Sequence, residues 1–267
     1  MKLTSYMLLG TLLFISFNLD AQRWKSRRYE SYLGLGTVQH YGDIGGSMTA
    51  ANWYGLNDIQ LQFTRPSLHA GVRYKIFSFM AVKANLSLAY IDANDKNTPN
   101  EEARYGGYSF RSVMGEASAQ LEYYFLKEDR MLLSDAIYNR KGMVNDFFNI
   151  DAYIFAGAGG VLAFPTVYNS SGQIITSDEW EFDAAEMKNF GLTFPVGLGI
   201  KYRWDSRTSF GLEFGRRFTL TDNIDGYTSM YSKSNDVYDF LVVSMVYRIA
   251  TDRRGLPILG KAAKYRQ

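Results

Sequence analysis

The sequence predicts an all-β fold, an eight-stranded antiparallel up-and-down transmembrane β-barrel, and three observations lead to this prediction. The 267 residues include 20 Tyr, 18 Phe and 24 Gly but only 5 Pro, and aromatic residues favour strands while Gly favours tight turns and crowded barrel walls. Apolar and polar residues alternate with a period of two, which places them on opposite faces of a strand. The apolar face is about ten residues long, enough for a lipid-facing band about 25 Å tall.

The amino terminus has the pattern of a secretory signal peptide over residues 1–21. A short basic start precedes an apolar stretch from Tyr6 to Phe17, and the small residue Ala21 ends the segment. The apolar stretch is too short for a membrane-spanning helix. A buried first strand or helix is the alternative, and its position at the extreme terminus disfavours it. We therefore expect Sec-type export with cleavage after Ala21.

The rest of the chain divides into one β domain between two basic ends. The expected parts are a basic periplasmic segment at residues 22–28, the barrel at residues 29–249 and a basic periplasmic tail at residues 250–267. The first segment has four basic residues and the tail has five against one Asp, so the two ends together carry a net charge of +8. Such ends can simply hold a barrel at the membrane interface, or they can form a docking surface for an acidic partner or for anionic headgroups.

Eight segments show the alternation of a strand. In chain order they are Tyr29 to Gly42, Ser67 to Ile76, Phe79 to Ile91, Ser112 to Phe125, Ile150 to Ala163, Leu192 to Trp204, Phe210 to Phe218 and Val237 to Ile249. The third, fourth, sixth and seventh are clear, and the other four are weaker. In the fifth and eighth segments both faces carry large apolar residues, so the sequence leaves their inward face open.

The polar face of these strands decides between a soluble barrel and a membrane barrel. A soluble barrel fills its interior with apolar side chains, whereas an outer-membrane barrel turns them toward lipid. Charged residues on the polar face are Arg73, Lys75, Lys83, Glu116, Glu122, Lys201, Arg203, Glu213 and Arg217. Together with the expected signal peptide they favour an inward polar face, a narrow lumen of small residues and paired charges. We expect Glu213 and Arg217 to neutralise each other together with Glu116 or Glu122.

The lengths of the connections support the membrane barrel. With the mature amino terminus in the periplasm, outer connections should be long and inner ones short. The long outer connections are Asp43 to Thr64, Asp92 to Tyr108, Phe164 to Asn189 and Thr221 to Asp236, and the tight inner ones are Phe77-Ser78 and Asp205 to Arg207. One inner connection is the exception, because Lys127 to Phe148 is long and is expected to hold a short helix around Met131 to Tyr138.

Residues that carry chemistry are scarce. Without Cys the chain excludes disulfides, thiolate zinc sites, iron–sulfur clusters and cysteine nucleophiles. The two histidines, His40 and His69, face inward in the predicted strands, where hydrogen-bonded lumen residues are commoner than metal ligands. Ser67 with His69 is a local candidate for a nucleophile and base, but no orienting acid is evident. We expect no enzymatic activity, no catalytic residue, no cofactor, no metal, no nucleic acid and no small-molecule substrate.

Several short motifs occur in an order that is similar to one family. They read YGDI at residues 41–44, RP at 65–66, YSFR at 108–111, FPVGLGIKY at 194–202 and GLEFGRRF at 211–218. Together they extend over nearly the whole mature chain, and in this order they resemble PorG, the small outer-membrane barrel family of type IX secretion. The family's Thr-Asp-Tyr run with paired aspartates reads TDNIDG here at residues 221–226, which leaves open a paralogue with another partner.

This resemblance implies a non-enzymatic component that fixes a periplasmic lipoprotein ring to the outer membrane of a gram-negative bacterium, with outer-membrane lipid as its surroundings. The expected partner-binding residues are Met131, Leu132, Leu133 and Ile137, grouped by the expected helix, with Arg253 and Arg254 of the tail. As an alternative, the four apolar residues plug the barrel mouth. The alternative function is a small OmpA-like or OmpX-like surface barrel acting in adhesion or envelope integrity.

Overall fold

A computed structural model of the chain describes residues 28–41, 64–94, 107–126, 150–175, 189–205, 207–221, 224, 226, 235–252 and 256–258. The strands are β1 Tyr29–Tyr41, β2 Arg65–Phe77, β3 Met80–Asn94, β4 Ser109–Leu126, β5 Ile150–Tyr168, β6 Phe190–Arg203, β7 Thr208–Thr219 and β8 Val237–Ile249. Each strand pairs antiparallel with the next, and β8 pairs with β1 to close the barrel. The predicted fold class is therefore confirmed. In the part of the chain that is described, no helix is long and apolar enough to cross a membrane.

At one end of the barrel the first residue of β1, Tyr29, pairs with the last residue of β8, Ile249, and we call this the inner end. The register pairs form a path that starts at Tyr29 and passes through each strand once around the barrel. This path returns to β1 at Gln39, ten residues beyond its start. A shear of ten on eight strands corresponds to a strand tilt of about 40°. A barrel of this size has an interior just wide enough for side chains to fill.

Several strands are longer at the opposite, outer end than the alternation predicts, and the largest differences are on β3, β4 and β5. Strand β4 begins at Ser109 and β5 runs on to Tyr168, so the connection expected from Phe164 begins five residues later. The extension includes Pro165, which lacks a donor, but the neighbouring Phe164 N–H donates to Ser112 Oγ at 3.1 Å. Ala163 donates its N–H to Asn189 O on the β6 side, so the nitrogen of Pro165, two residues later, points to the same side. Pairing of β5 with β6 has ended there at Leu162 and Phe190, and an edge position tolerates Pro.

The two inner connections that are described are tight turns, as expected. The first consists of Ser78 and Phe79. In the second, Asp205 Oδ1 accepts the backbone N–H groups of Arg207 at 2.6 Å and Thr208 at 2.7 Å. These hydrogen bonds hold the pKa of the Asp205 carboxyl below its ordinary value.

The predicted direction of the two faces is confirmed. On β3 the side chains of Lys83 and Asn85 are buried, whereas Leu86 is 63% exposed. The structure also settles the two strands whose inward face the sequence left open, because β5 turns Tyr153 inward and β8 turns Phe240 inward. Large apolar side chains are exposed all around the outer wall.

Aromatic side chains form an outward-facing belt at the inner end. Its members are Phe77, Phe79, Tyr123, Phe125, Tyr202, Trp204, Phe210 and Tyr247. Phe77 stacks on Phe79 with ring centroids 5.5 Å apart, and Trp204 contacts Phe210 edge to face at 6.1 Å. Amphipathic rings collect where hydrocarbon meets headgroups. The belt therefore marks one boundary of the lipid-facing band.

Candidate functional site

The inner half of the lumen is filled by a network of charged side chains, which we call the inner network. Its members are Glu30, Arg73, Lys75, Lys83, Glu122, Asp151, Tyr153, Lys201, Glu213 and Arg248. At one centre, the carboxylate of Glu30 accepts hydrogen bonds from Arg73 at 3.0 Å and from Lys201 at 3.1 Å. Lys75 and Arg248 approach the same carboxylate at 3.6 and 3.7 Å. One buried acid is thus surrounded by four cations.

Arg73 joins this centre to two further carboxylates. Its Nε lies 2.6 Å from Glu122 Oε2, and its Nη2 lies 3.2 Å from Glu213 Oε1. Glu213 also accepts from Lys83 Nζ and from the Tyr153 hydroxyl. Because the guanidinium has five donors in a fixed plane, one Arg can serve three acids from three strands.

The inward-facing charges are paired with one another, as expected, but some of the partners differ from the expected ones. Arg217 Nε lies 3.4 Å from Glu116 Oε2, and the Tyr238 hydroxyl donates to the same oxygen at 2.9 Å. Glu213, however, pairs with Lys83 and Arg73 rather than with Arg217 on its own strand. Side chains two pleats apart on one strand compete with neighbours across the lumen, and in a narrow barrel the neighbours across the lumen are nearer.

The lumen is close to neutral as well as full. Among the described residues, the acids that take part in the ion pairs above are Glu30, Glu116, Glu122, Asp151 and Glu213, and the cations are Arg73, Lys75, Lys83, Lys201, Arg217 and Arg248. A gap among Tyr32, His69, Phe155 and Arg217 has no room for a water molecule. The side chains of this barrel thus fill its interior, as expected for eight strands.

Two inward-facing glycines make space for the large rings of β5. A Cβ on Gly199 would meet the ring of its register partner Tyr153, and one on Gly197 would meet Phe155 and the backbone of β7. The small residues on one strand therefore determine where aromatic residues fit on the next. They bring the Tyr153 hydroxyl to Glu213.

The outer half of the lumen contains a cluster of buried apolar side chains beside the Glu116–Arg217 pair, and we call the apolar side chains the outer cluster. Its buried members are Val38, Ala89, Ile91, Ala93, Phe110, Met114, Val161, Ala163, Val167, Ile224, Tyr238, Phe240 and Val242. Ile224 comes from the connection between β7 and β8, and its N–H donates to Asp236 Oδ2 at 2.8 Å. This bond fixes an apolar side chain over the outer mouth of the barrel.

The two histidines are lumen residues at separate contacts. The His40 ring contacts Phe110 edge to face, and its Nε2 lies 3.8 Å from Asp236 Oδ1. The His69 ring packs edge to face on Phe240. Across the described ranges, no group of three His, Cys, Asp or Glu side chains is arranged to hold a metal ion.

Ser67 and His69 do come together, with 3.0 Å between Ser67 Oγ and His69 Nε2. Both are buried, and no carboxylate among the described residues hydrogen-bonds to the imidazole. The pair is an internal hydrogen bond of the lumen without the acid that would orient a catalytic base.

The predicted partner-binding residues Met131, Leu132, Leu133, Ile137, Arg253 and Arg254 all lie outside the described residues. The expected signal peptide and the expected helix in the connection from Lys127 to Phe148 lie outside them as well. Part of the tail is described and forms a small turn at the inner end. Ile258 N–H donates to Ala250 O at 2.8 Å, Leu256 N–H donates to Asp252 Oδ1 at 2.9 Å, and the Leu256 side chain is 57% exposed.

Sequence reasoning missed several members of the lumen, namely Glu30, Asp151, Tyr153, Tyr238 and Arg248. The strand of Glu30 did contain a usable pattern, because the exposed Leu33 and Leu35 fix the opposite face as inward. For Tyr153 and Tyr238 the pattern was ambiguous, and only the register against neighbouring strands resolves it.

A lumen of paired charges inside an apolar exterior defines a transmembrane β-barrel of the outer-membrane type. The chain belongs to the DUF6089 family, which is described as a domain of unknown function and matches residues 33–246. No curated protein matches the sequence significantly.

Several solved structures are similar in fold at low sequence identity. Neisserial surface protein A aligns at 8% identity over 82% of this chain and 96% of its own, with a TM-score of 0.43. Ail of Yersinia pestis, in complex with the heparin analogue sucrose octasulfate, aligns at 9% identity over 84% and 99%, with a TM-score of 0.42. The amino-terminal barrel of Pseudomonas aeruginosa OprF aligns at 10% identity over 82% and 98%, with a TM-score of 0.37.

Proposed function

We propose that this protein is a non-enzymatic outer-membrane component of a type IX-like protein secretion machine, where it anchors a periplasmic lipoprotein ring to the outer membrane of a gram-negative bacterium after Sec-type export. The observation that carries the proposal is the filled lumen, in which the described residues of the inner network and the outer cluster occupy the two halves of the interior. A barrel filled in this way acts through its surfaces. The resemblance of residues 211–218 and the other motifs to the PorG family supports the choice of partner.

The inner end is the surface through which we propose that the ring is bound. Charged rims mainly steer association and make it sensitive to salt, whereas buried apolar groups anchor the complex. The basic ends supply the charge, and Met131, Leu132, Leu133 and Ile137 supply the apolar anchor. The exposed Leu256 in the tail turn adds a further apolar group on the same side.

Replacement of residues 131–137 by a Gly/Ser linker of equal length tests this proposal in cells. We expect the ring lipoprotein to be lost from co-purification and secretion to fail, while the heat-modifiable gel shift still reports a folded barrel. The matched control replaces seven residues of the connection after Asn94 and should leave secretion intact. Retained partner and normal secretion in the first variant would overturn the proposal.

A second candidate is a surface barrel that acts in adhesion or envelope integrity, and the outer end favours it. Strands β4 and β5 have 18 and 19 residues, against 12 to 15 in the others. Pairing of β5 with β6 ends at Leu162 and Phe190, so the end of β5 projects beyond β6. Truncation of this projection that abolishes adhesion but leaves secretion unchanged would favour the second function.

A further inference from the structure

A charged pair interrupts the apolar outer wall of the barrel on β7 and β8. Arg216 and Asp239 are register partners, and both occupy outward positions in the alternation of their strands. Arg216 lies between the exposed Phe214 and Phe218 on β7, and Asp239 is followed at the next outward position of β8 by the exposed Leu241. Because apolar side chains continue on both sides of Arg216, the pair lies within the lipid-facing band rather than at its border.

The pair is held in a defined geometry. Arg216 Nε donates to Asp239 Oδ1 at 2.8 Å, and Arg216 Nη2 donates to Asp239 Oδ2 at 2.7 Å, which is the strong bidentate form of an Arg–carboxylate contact. The guanidinium of Arg216 lies 5.4 Å from the ring centroid of Tyr41 on β1, and Gln39 of β1 is the register partner of Asp239. Three neighbouring strands thus carry one polar patch of Arg216, Asp239, Gln39 and Tyr41, which we call the wall patch.

A charged pair that faces hydrocarbon is costly even when its net charge is zero. Ionisable side chains within a membrane ordinarily face protein or a water-filled cavity. The side chains of Arg216 and Asp239 are 14% and 7% exposed, so the pair lies flat against the wall with part of its surface open to lipid. A protein surface with polar groups at the same level is a better neighbour for this pair than acyl chains are.

We propose that the wall patch is the contact between two copies of this chain, related by a two-fold axis along the membrane normal between β7 and β8. This axis keeps both copies upright in the membrane and exchanges the two strands, so that Arg216 of each copy faces Asp239 of the other. One positive and one negative charge side by side are therefore complementary to themselves in this arrangement. The exposed register partners Phe214 and Leu241 face each other in the same way and add apolar contact.

The absence of Cys from the 267 residues allows a direct test with single cysteines. The full chain is folded into phospholipid vesicles at a low protein-to-lipid ratio and treated with a short bis-maleimide cross-linker. Leu241→Cys places a thiol in the proposed contact, and Leu86→Cys places one on the exposed face of β3, on the opposite wall, as the control. We expect most Leu241→Cys chains to be cross-linked as dimers and Leu86→Cys chains to remain monomers. Equal yields from the two variants would overturn the proposal.

Arg216→Gln, combined with Leu241→Cys, tests the role of charge in the same vesicles. The substitution removes two symmetric contacts, and a polar contact within the membrane changes affinity about three-fold, so the dimer should be weakened about ten-fold. The measurement is the protein-to-lipid ratio at half-maximal cross-linking, and the heat-modifiable gel shift verifies that the barrel is folded. An unchanged ratio would overturn the proposal, because the wall patch would then not contribute to the contact. The comparison of Leu241→Cys with Leu86→Cys leaves the charged pair intact and decides the question by itself if Arg216→Gln does not fold.

This inference depends on the outer-membrane placement but not on a role in secretion, and its outcome is separate from that of the proposed function. Leu241→Cys chains that stay monomeric in vesicles but cross-link to a different membrane protein in cells would overturn the second copy as the occupant of the wall patch. That result would leave the binding of a periplasmic ring at the inner end unaffected, since the inner end and the wall patch are different surfaces.

Discussion

The two halves of the lumen are filled by opposite means. In the inner half, Arg73 alone contacts three buried carboxylates, whereas in the outer half side chains such as Ile91, Phe110 and Met114 belong to one apolar cluster. Charges removed from water are stable only when they are paired and hydrogen-bonded, so the inner network tolerates few arrangements. Apolar packing tolerates changes of similar volume. The inner half thus specifies register more strictly than the outer half.

Because the two halves of the lumen differ, the two ends of the molecule should differ in rigidity. The inner network lies beneath the end proposed to bind a periplasmic partner, and its cross-strand ion pairs hold all neighbouring strands in one arrangement. The outer cluster includes Ile224 from a connection, so a side chain from outside the strands packs at the outer end. We expect the inner end to be the more rigid platform and the outer end the more tolerant of replacement.

The largest effect that tests this comparison is expected for Arg73→Met. The substitution leaves Glu30, Glu122 and Glu213 buried with one shared cation fewer, and removal of one partner from a buried ionic network costs about 3 to 5 kcal/mol. The measurement is the free energy of unfolding in urea, followed by the heat-modifiable gel shift. Lys75→Met is the matched control, because the half-buried Lys75 lies 3.6 Å from Glu30, and its loss should be smaller. Equal losses would mean that water hydrates the inner network and that the pairing is dispensable.

The sequence predicts the charged inner half of the lumen better than the apolar outer half. Where one face of a strand is charged, as with Lys83 on β3 or Glu116 and Glu122 on β4, the alternation predicts the inward face correctly. Where both faces are apolar, as on β5 and β8, the alternation within one strand does not show which residues face inward and form the outer cluster. The partners of Glu213 depend on distances across the lumen. These distances follow from the shear of the closed barrel, and the periodicity of a single strand does not predict them.

An intermediate effect is expected for Phe240→Ala in the outer cluster. Phe240 is fully buried between the rings of His69 and Tyr238, and truncation of a buried Phe costs about 3 to 4 kcal/mol through lost contacts and the cavity left behind. Phe240→Leu should recover most of this loss, since it keeps an apolar side chain of similar size. Val243→Ala, on the exposed face of the same strand, is the control in the same urea titration. If Phe240→Ala costs no more than Val243→Ala, the outer half does not pack as a core.

The smallest effect, and the one that separates charge from shape, is expected for Glu213→Gln. The amide keeps the volume of Glu213 but removes the charge that faces Lys83 and Arg73. It also places a donor where these cations and the Tyr153 hydroxyl all donate. A buried donor left without an acceptor costs about 1 to 3 kcal/mol, so we expect a loss in this range. Glu101→Gln, in the expected connection between β3 and β4, should leave the free energy of unfolding unchanged. Should both variants unfold at the same urea concentration as the wild type, the carboxylate of Glu213 contributes space rather than charge to the inner network, and Arg73 relies on Glu30 and Glu122 alone.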